Sequence, residues 1–310
     1  MQPCESGVEY AEIDTFFGQR GAGYAGATIR GIDLCRSDLS GLDFGGAKFV
    51  GVDLTDANLS RCNLRGAIFS NSECGGIDVS GANLQGVRFE ESRLSTRKIG
   101  GADLQGAAFV QADLTEADFR QVKVVGARFE RCLLTRIQAE GVDFRGCILN
   151  DSTLSKARLK GARFDGVCAS QACFENADLT KAVLIRVSAP FARFAGALLE
   201  EANADDADLT HASFLRVKAQ RALFRRAKLT RTTWQAADVR GVRFDMSELN
   251  YADFSHALAD LASFQKAVLD HANLHRTSLA SSILSGASMN GVRKTDPDRA
   301  RAEDFTTGRR

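Results

Sequence analysis

From Ile29 to Met289 an apolar residue recurs at every fifth position, always at a residue number ending in 4 or 9, with no insertion. Of these 53 central positions, 39 are Leu or Phe, and the 14 others include Cys74, Val79, Ala139, Ala189, Trp234 and Met289. Two residues before each centre stands mostly Ala, with some Val, Ser and Cys; one before is often Asp or Asn, and two after is often Gly. Period five is wrong for a helix, because five steps of about 100° scatter the Leu and Phe around the axis. It is wrong for a flat strand too, because an odd period sends successive centres to opposite faces. The chain therefore has to turn a corner every five residues. Four sides make a square coil of about 20 residues with all centres inward, and the whole run makes a solenoid of about 13 coils.

Residues 20 apart should then lie above one another and match in size. They do: Phe49, Phe69, Phe89, Phe109 and Phe129 form one column, and Phe174, Phe194, Phe214, Trp234 and Phe254 another. Gly46, Gly66, Gly86, Gly106, Gly126, Gly146 and Gly166 recur at the same interval, which suits a row of tight turns along one corner. Small residues fit beside the central side chains, and Asp or Asn next to a corner can bond nearby backbone groups.

The motif Ala-(Asp/Asn)-(Leu/Phe)-x-x occurs in strict form nine times, beginning at Ala57, Ala82, Ala102, Ala112, Ala117, Ala177, Ala207, Ala252 and Ala272. In this the chain resembles the pentapeptide-repeat proteins over roughly residues 22 to 291. The resemblance implies an all-β, right-handed quadrilateral β-helix. It also implies one specific function class, since some family members imitate duplex DNA and so inhibit or protect DNA gyrase or related type II topoisomerases.

The 310 residues, 25% charged with net charge +1, fit one repeat domain, because a solenoid grows by adding coils. Residues 1–21 lie outside the register and hold no long apolar run, so they are expected to cap the first coil rather than to form a signal or membrane span. Residues 292–310 form a polar tail with a possible short helix after Asp296-Pro297, a poor cap. The last coil, with Leu274, Leu279, Leu284 and Met289, is therefore a candidate end-to-end dimer surface.

Of eight cysteines, Cys62, Cys74, Cys132 and Cys147 occupy inward positions; Cys35, Cys168 and Cys173 are expected outward, and there is no CxxC pair. Free thiols in a reducing, cytoplasmic compartment are the expectation. His211, His256, His271 and His275 all fall at outward positions and are expected to be solvated rather than metal ligands. No nucleophile, base and orienting acid come together and no phosphate-binding loop precedes a helix, so neither enzyme activity nor a cofactor is expected.

Two departures from the repeat stand out. Arg97 occupies an inward, small-residue position and is followed by Lys98, so either the backbone bulges or the pair makes a basic contact point. Within one coil, Val183, Ile185, Pro190, Phe191 and Leu198 are apolar at outward positions around the small centre Ala189. Either they contact a partner, or Phe191 folds back into the space left by Ala189.

These readings favour a non-enzymatic rigid scaffold binding a protein partner. The alternative, a DNA-mimicking inhibitor or protector of gyrase, would use the acidic side formed by Asp33, Asp53, Asp56, Glu73, Asp113 and Glu116. The balance of 40 basic and 39 acidic residues weighs against that alternative, as it does against direct nucleic-acid binding.

Overall fold

A computed structural model describes residues 23–307, so the expected cap of residues 1–21 lies outside the described residues. The chain is an all-β solenoid. Its contacts gather into two compact units, Met1–Thr153 and Leu154–Arg310.

In both units the five-residue grammar is carried by the backbone. Centres and the small residues two before them are buried together, as Ala112, Leu114, Ala117 and Phe119 are, each at most 1% exposed. The residue two after the centre turns the corner with φ near +60°, at Asp56, Glu116, Arg136, Arg186 and Phe191 among many others. The amide three residues after a centre closes that corner on the centre's carbonyl, as Ala57 N does on Leu54 O at 2.9 Å. Between corners the chain pairs in parallel with residues 20 away, Leu34 N donating to Asp53 O and Asn58 N to Ser37 O. The Asp or Asn before a centre accepts the amide two residues on: Asp53 Oδ1 takes Thr55 N at 2.8 Å and Asp113 Oδ1 takes Thr115 N at 3.0 Å. These residues are thus spent on the turn itself.

The first unit contains β1 (Thr28–Arg30), β2 (Lys48–Val50), β3 (Ile68–Ser70), β5 (Arg88–Glu90), β7 (Ala108–Val110) and β8 (Arg128–Glu130) in one parallel sheet. On an adjacent side β4 (Glu73–Gly75) pairs with β6 (Arg93–Ser95). Phe49, Phe69, Phe89, Phe109 and Phe129 stack behind the larger sheet, with Phe49 and Phe69 at 4.6 Å and 3°.

Within this unit one seam departs from the rule. β5 and β7 pair only through Arg88 and Ala108, and the Phe89 and Phe109 rings open to 5.4 Å and 24°. On the next side Asp113 pairs with Ser95, 18 residues back, with Asp113 N donating to Leu94 O and Thr96 N to Asp113 O. The slip sends Thr96 inward, 5% exposed, where its hydroxyl donates to Ile77 O and accepts from Lys98 N. Arg97 is thereby released to solvent, where it pairs with Glu116 at 2.8 Å. The bulge is the outcome at Arg97: a short hydroxyl side chain fills the core, as burying an unpaired guanidinium would be too costly.

The second unit keeps the 20-residue interval through bridges such as Arg193–Ser213, Ser213–Thr233 and Thr233–Asp253. Two columns meet inside it. Phe174, Phe194, Phe214, Trp234 and Phe254 stack face to face, and Phe224, Phe244 and Phe264 meet them edge-on, Phe224 and Trp234 at 89°. Trp234 is fully buried and its indole N–H donates to Thr232 Oγ1, which in turn donates to Leu229 O, so no polar group of the ring is stranded. The coil ladder ends at Arg293, bridged to Asn273. The possible tail helix is realised as α1 (Pro297–Thr307), capped by Asp296 Oδ1 on the amides of Asp298 and Arg299. Among the described residues no helix is long and apolar enough to cross a membrane.

Candidate functional site

An exposed column of planar side chains runs along one corner of the second unit: Phe191, His211, Arg231, Tyr251 and His271, each with φ between +58° and +62°. A left-handed corner residue points its side chain off the edge, and a 20-residue interval stacks one over the next. Phe191 and His211 lie 4.8 Å apart at 5°, Tyr251 and His271 4.9 Å apart at 14°, and the Arg231 guanidinium carbon sits 5.5 Å from the centre of the Tyr251 ring. The faces are turned to one another and the ring edges to solvent, Phe191 being 55% and Tyr251 52% exposed. Such contacts stiffen exposed side chains by about 0.5–1 kcal/mol each.

Phe191 therefore does not fold back toward Ala189. The five apolar residues of that coil are not gathered on one surface either, because corners at Arg186, Phe191 and Gly196 separate them. Val183 and Ile185 share one side, Pro190 adjoins the Phe191 edge, and Leu198 lies two corners further on; all but Phe191 are half-buried. Reading one coil across its sides hid the column, which emerges when corner residues are read at intervals of 20.

Of the residues of the expected acidic side, Asp33, Asp53 and Glu73 pair in succession, Glu73 pairs onward with Arg93, and Asp113 pairs with Ser95. The charges of that side are largely committed. Asp33, Asp53 and Asp113 each accept a local amide. Glu116 sits between Arg97 at 2.8 Å and Arg136 at 3.2 Å. Asp56 lies across Gly76, where a Cβ would meet its Oδ1 at 2.1 Å, so a side chain at that corner would have to displace the Asp56 carboxylate. Beside the seam, Ser95, Thr96, Arg97, Lys98 and Asp113 line an open pocket of about 440 Å³. In the second unit the same economy applies: the buried carboxylates of Asp205 and Asp245 are held by Arg225 and Arg243, and Arg226 beside Asp206 keeps its carboxyl below the usual range.

Cys62, Cys74, Cys132 and Cys147 are buried free thiols as expected, and burial pushes Cys62 up to about 11 and the other three to about 12. Cys173 differs from expectation, being buried at 3% with its sulfur 3.1 Å from Ser155 Oγ.

At the C-terminal end Leu274 is buried, whereas Leu279, Leu284 and Met289 are half-buried. α1 is fastened beside them by polar contacts: Arg276 reaches Ala300 O and Asp304, and Glu303 meets His275 at 3.2 Å and His256 at 3.5 Å. His275 is consequently 2% exposed, a correction to the expectation that all four histidines are solvated. Its burial comes from a helix with little apolar surface, which hydrophobic patterning does not reveal. The hydrogen bond from His275, reinforced by Arg299, holds the Glu303 carboxyl below the usual range.

No curated protein sequence matches the chain. Three solved structures illustrate its neighbours. HetL, a pentapeptide repeat protein involved in heterocyst differentiation regulation from the cyanobacterium Nostoc sp. strain PCC 7120, is 24% identical over 62% of this chain and 89% of its own, with a TM-score of 0.32. Full-length QnrB1, a plasmid-mediated fluoroquinolone resistance protein, is 19% identical over 91% of this chain and 99% of its own, at 0.23. AT2G44920, from the Arabidopsis thaliana thylakoid lumen, is 24% identical over 46% of this chain and 74% of its own, at 0.25. The model of pentapeptide repeats matches eight copies, over residues 25–56, 57–95, 100–136, 140–176, 177–216, 191–226 and 260–293. With the five-residue grammar explicit in backbone and core alike, the chain belongs to the pentapeptide-repeat family.

Proposed function

We propose that this protein is a non-enzymatic rigid scaffold that binds a protein partner along the corner of Phe191, His211, Arg231, Tyr251 and His271. One observation carries the reading: large planar side chains are exposed and mutually stacked along this edge, Phe191 at 55% and Tyr251 at 52%. A pre-stacked edge loses little conformational freedom on binding, which is the condition under which aromatic anchors dominate an interface. The test is a pull-down from the native cell, followed by affinity measurement with the recovered partner at two salt concentrations. Phe191→Ala should weaken binding by about 2 kcal/mol or more, with little dependence on salt. If binding instead fell steeply with salt, were lost in an Asp33→Asn, Asp53→Asn, Asp113→Asn triple variant and ignored Phe191→Ala, the scaffold reading would give way to DNA imitation. Inhibition of gyrase supercoiling by the wild type would then identify the target.

The same reading includes self-association. The coil ladder stops at Arg293 and leaves Leu279, Leu284 and Met289 at an edge followed by α1 rather than by another coil. A second copy presenting the same edge would cover these residues.

A further inference from the structure

His256 and His275 stand on neighbouring coils at the C-terminal end, and α1 brings Glu303 over both. One ligating atom from each lies within 4.8 Å of the other two. His275 Nε2 and His256 Nε2 are 3.2 and 3.5 Å from the same carboxylate oxygen, Glu303 Oε2, and the imidazole planes cross at 74°. A four-coordinate transition-metal ion with bonds of about 2.0–2.1 Å spaces its ligand atoms about 3.3 Å apart. Two imidazoles and one carboxylate are also a donor set that suits such ions and leaves a fourth place open.

We infer that His256, His275 and Glu303 form a binding site for a divalent transition-metal ion, zinc being the reference case, that fastens α1 to the last coils. Arg276 Nε pairs with the same carboxylate oxygen, Glu303 Oε2, at 3.1 Å. Arg276 also reaches Asp304, and Arg299 Nε donates to Glu303 Oε1 at 2.9 Å, so the ligating carboxylate is oriented by two guanidinium groups.

Binding requires one proton rearrangement. Without metal, His275 Nδ1 accepts the Asp296 amide at 3.2 Å, so Nε2 carries the ring proton toward Glu303. An ion on Nε2 displaces that proton, Nδ1 takes one up, and the Asp296 amide turns from the ring to solvent at the exposed start of α1. Metal binding is thereby coupled to the conformation of the segment that leads into the helix.

The experiment uses the untagged full chain, stripped with chelator and titrated with zinc against a chromophoric competitor, and with cobalt for its visible spectrum. The expected result is one equivalent of zinc bound at micromolar concentration and a cobalt spectrum of four-coordinate intensity. Binding should weaken at least about tenfold in His256→Ala, whose ring is half-exposed and so tolerates truncation. Glu303→Gln should weaken it too, whereas His271→Ala, on another corner, should leave it unchanged. Absence of saturable binding, or affinity equal in wild type and His256→Ala, would overturn the inference. A loss in His271→Ala as large as in His256→Ala would do the same.

Discussion

The two buried aromatic columns obey the same repeat and yet differ in regularity. In the second unit Phe174, Phe194, Phe214, Trp234 and Phe254 follow one another at 5.0, 4.9, 4.1 and 5.8 Å, every pair within 7° of parallel. In the first unit the column begins within 7° of parallel, at 4.6 and 4.7 Å, and then opens by 24° between Phe89 and Phe109, at 5.4 Å. The opening coincides with the slip that exchanges Thr96 for Arg97 at the inward place. Ring tilt, rather than spacing, thus marks the break in the coil ladder, and the ladder follows what the small inward position can hold. One unsuitable residue is absorbed by the backbone of its own coil, and beyond it the register resumes at Ile99, fully buried.

The largest test of this contrast is cavity formation. Phe109→Ala and Phe214→Ala should each cost about 3–5 kcal/mol in denaturant titrations, with Phe214 toward the upper end because its neighbours lie closer. Thr115→Ala, at an outward position, should cost less than about 1 kcal/mol; equal losses at inward and outward positions would refute the core described here. Second in size is the open edge of the second unit. Leu284→Arg should convert a dimer to a monomer by light scattering, and a wild type that is monomeric at every concentration would remove self-association. The smallest effects belong to the seam. Thr96→Val should cost about 1–2 kcal/mol, since Ile77 O and Lys98 N lose a buried hydroxyl, while Arg97→Ala should stay within about 0.5 kcal/mol as an exposed ion pair. Reversal of that order would mean that Arg97, not Thr96, determines the slip.

Most of the fold was legible because one side-chain period admits so few backbones. Leu or Phe every fifth residue excludes helix and flat strand, and the match of residues 20 apart then sets the coil. The seam was less legible, since counting by fives assigns Arg97 inward and cannot show that its neighbour will take the place. Burial of His275 and its approach to Glu303 depend on α1, whose docking rests on charge and hydrogen bonds rather than on an apolar stripe. The Phe191 corner was half legible: its aromatic residue stood out, but the partners that stack with it lie a full coil away, at His211 and beyond.

The corners themselves have a further consequence. Among the described residues, 32 corner positions with positive φ carry side chains other than glycine, and none is Val, Ile, Thr or Pro. Arg, Asp, Glu, His, Phe, Tyr, Met and Leu are all admitted there. The filter at an edge is therefore one of shape at Cβ, because branching there is what a left-handed backbone cannot accommodate. Charge and aromaticity pass through it freely. As the sequence drifts, an edge can change from acidic to basic or from polar to aromatic without disturbing the interior that supports it. Recognition and architecture are thus written in separate letters of the same five-letter word, and a lineage can acquire a new partner by spelling changes that the core never registers.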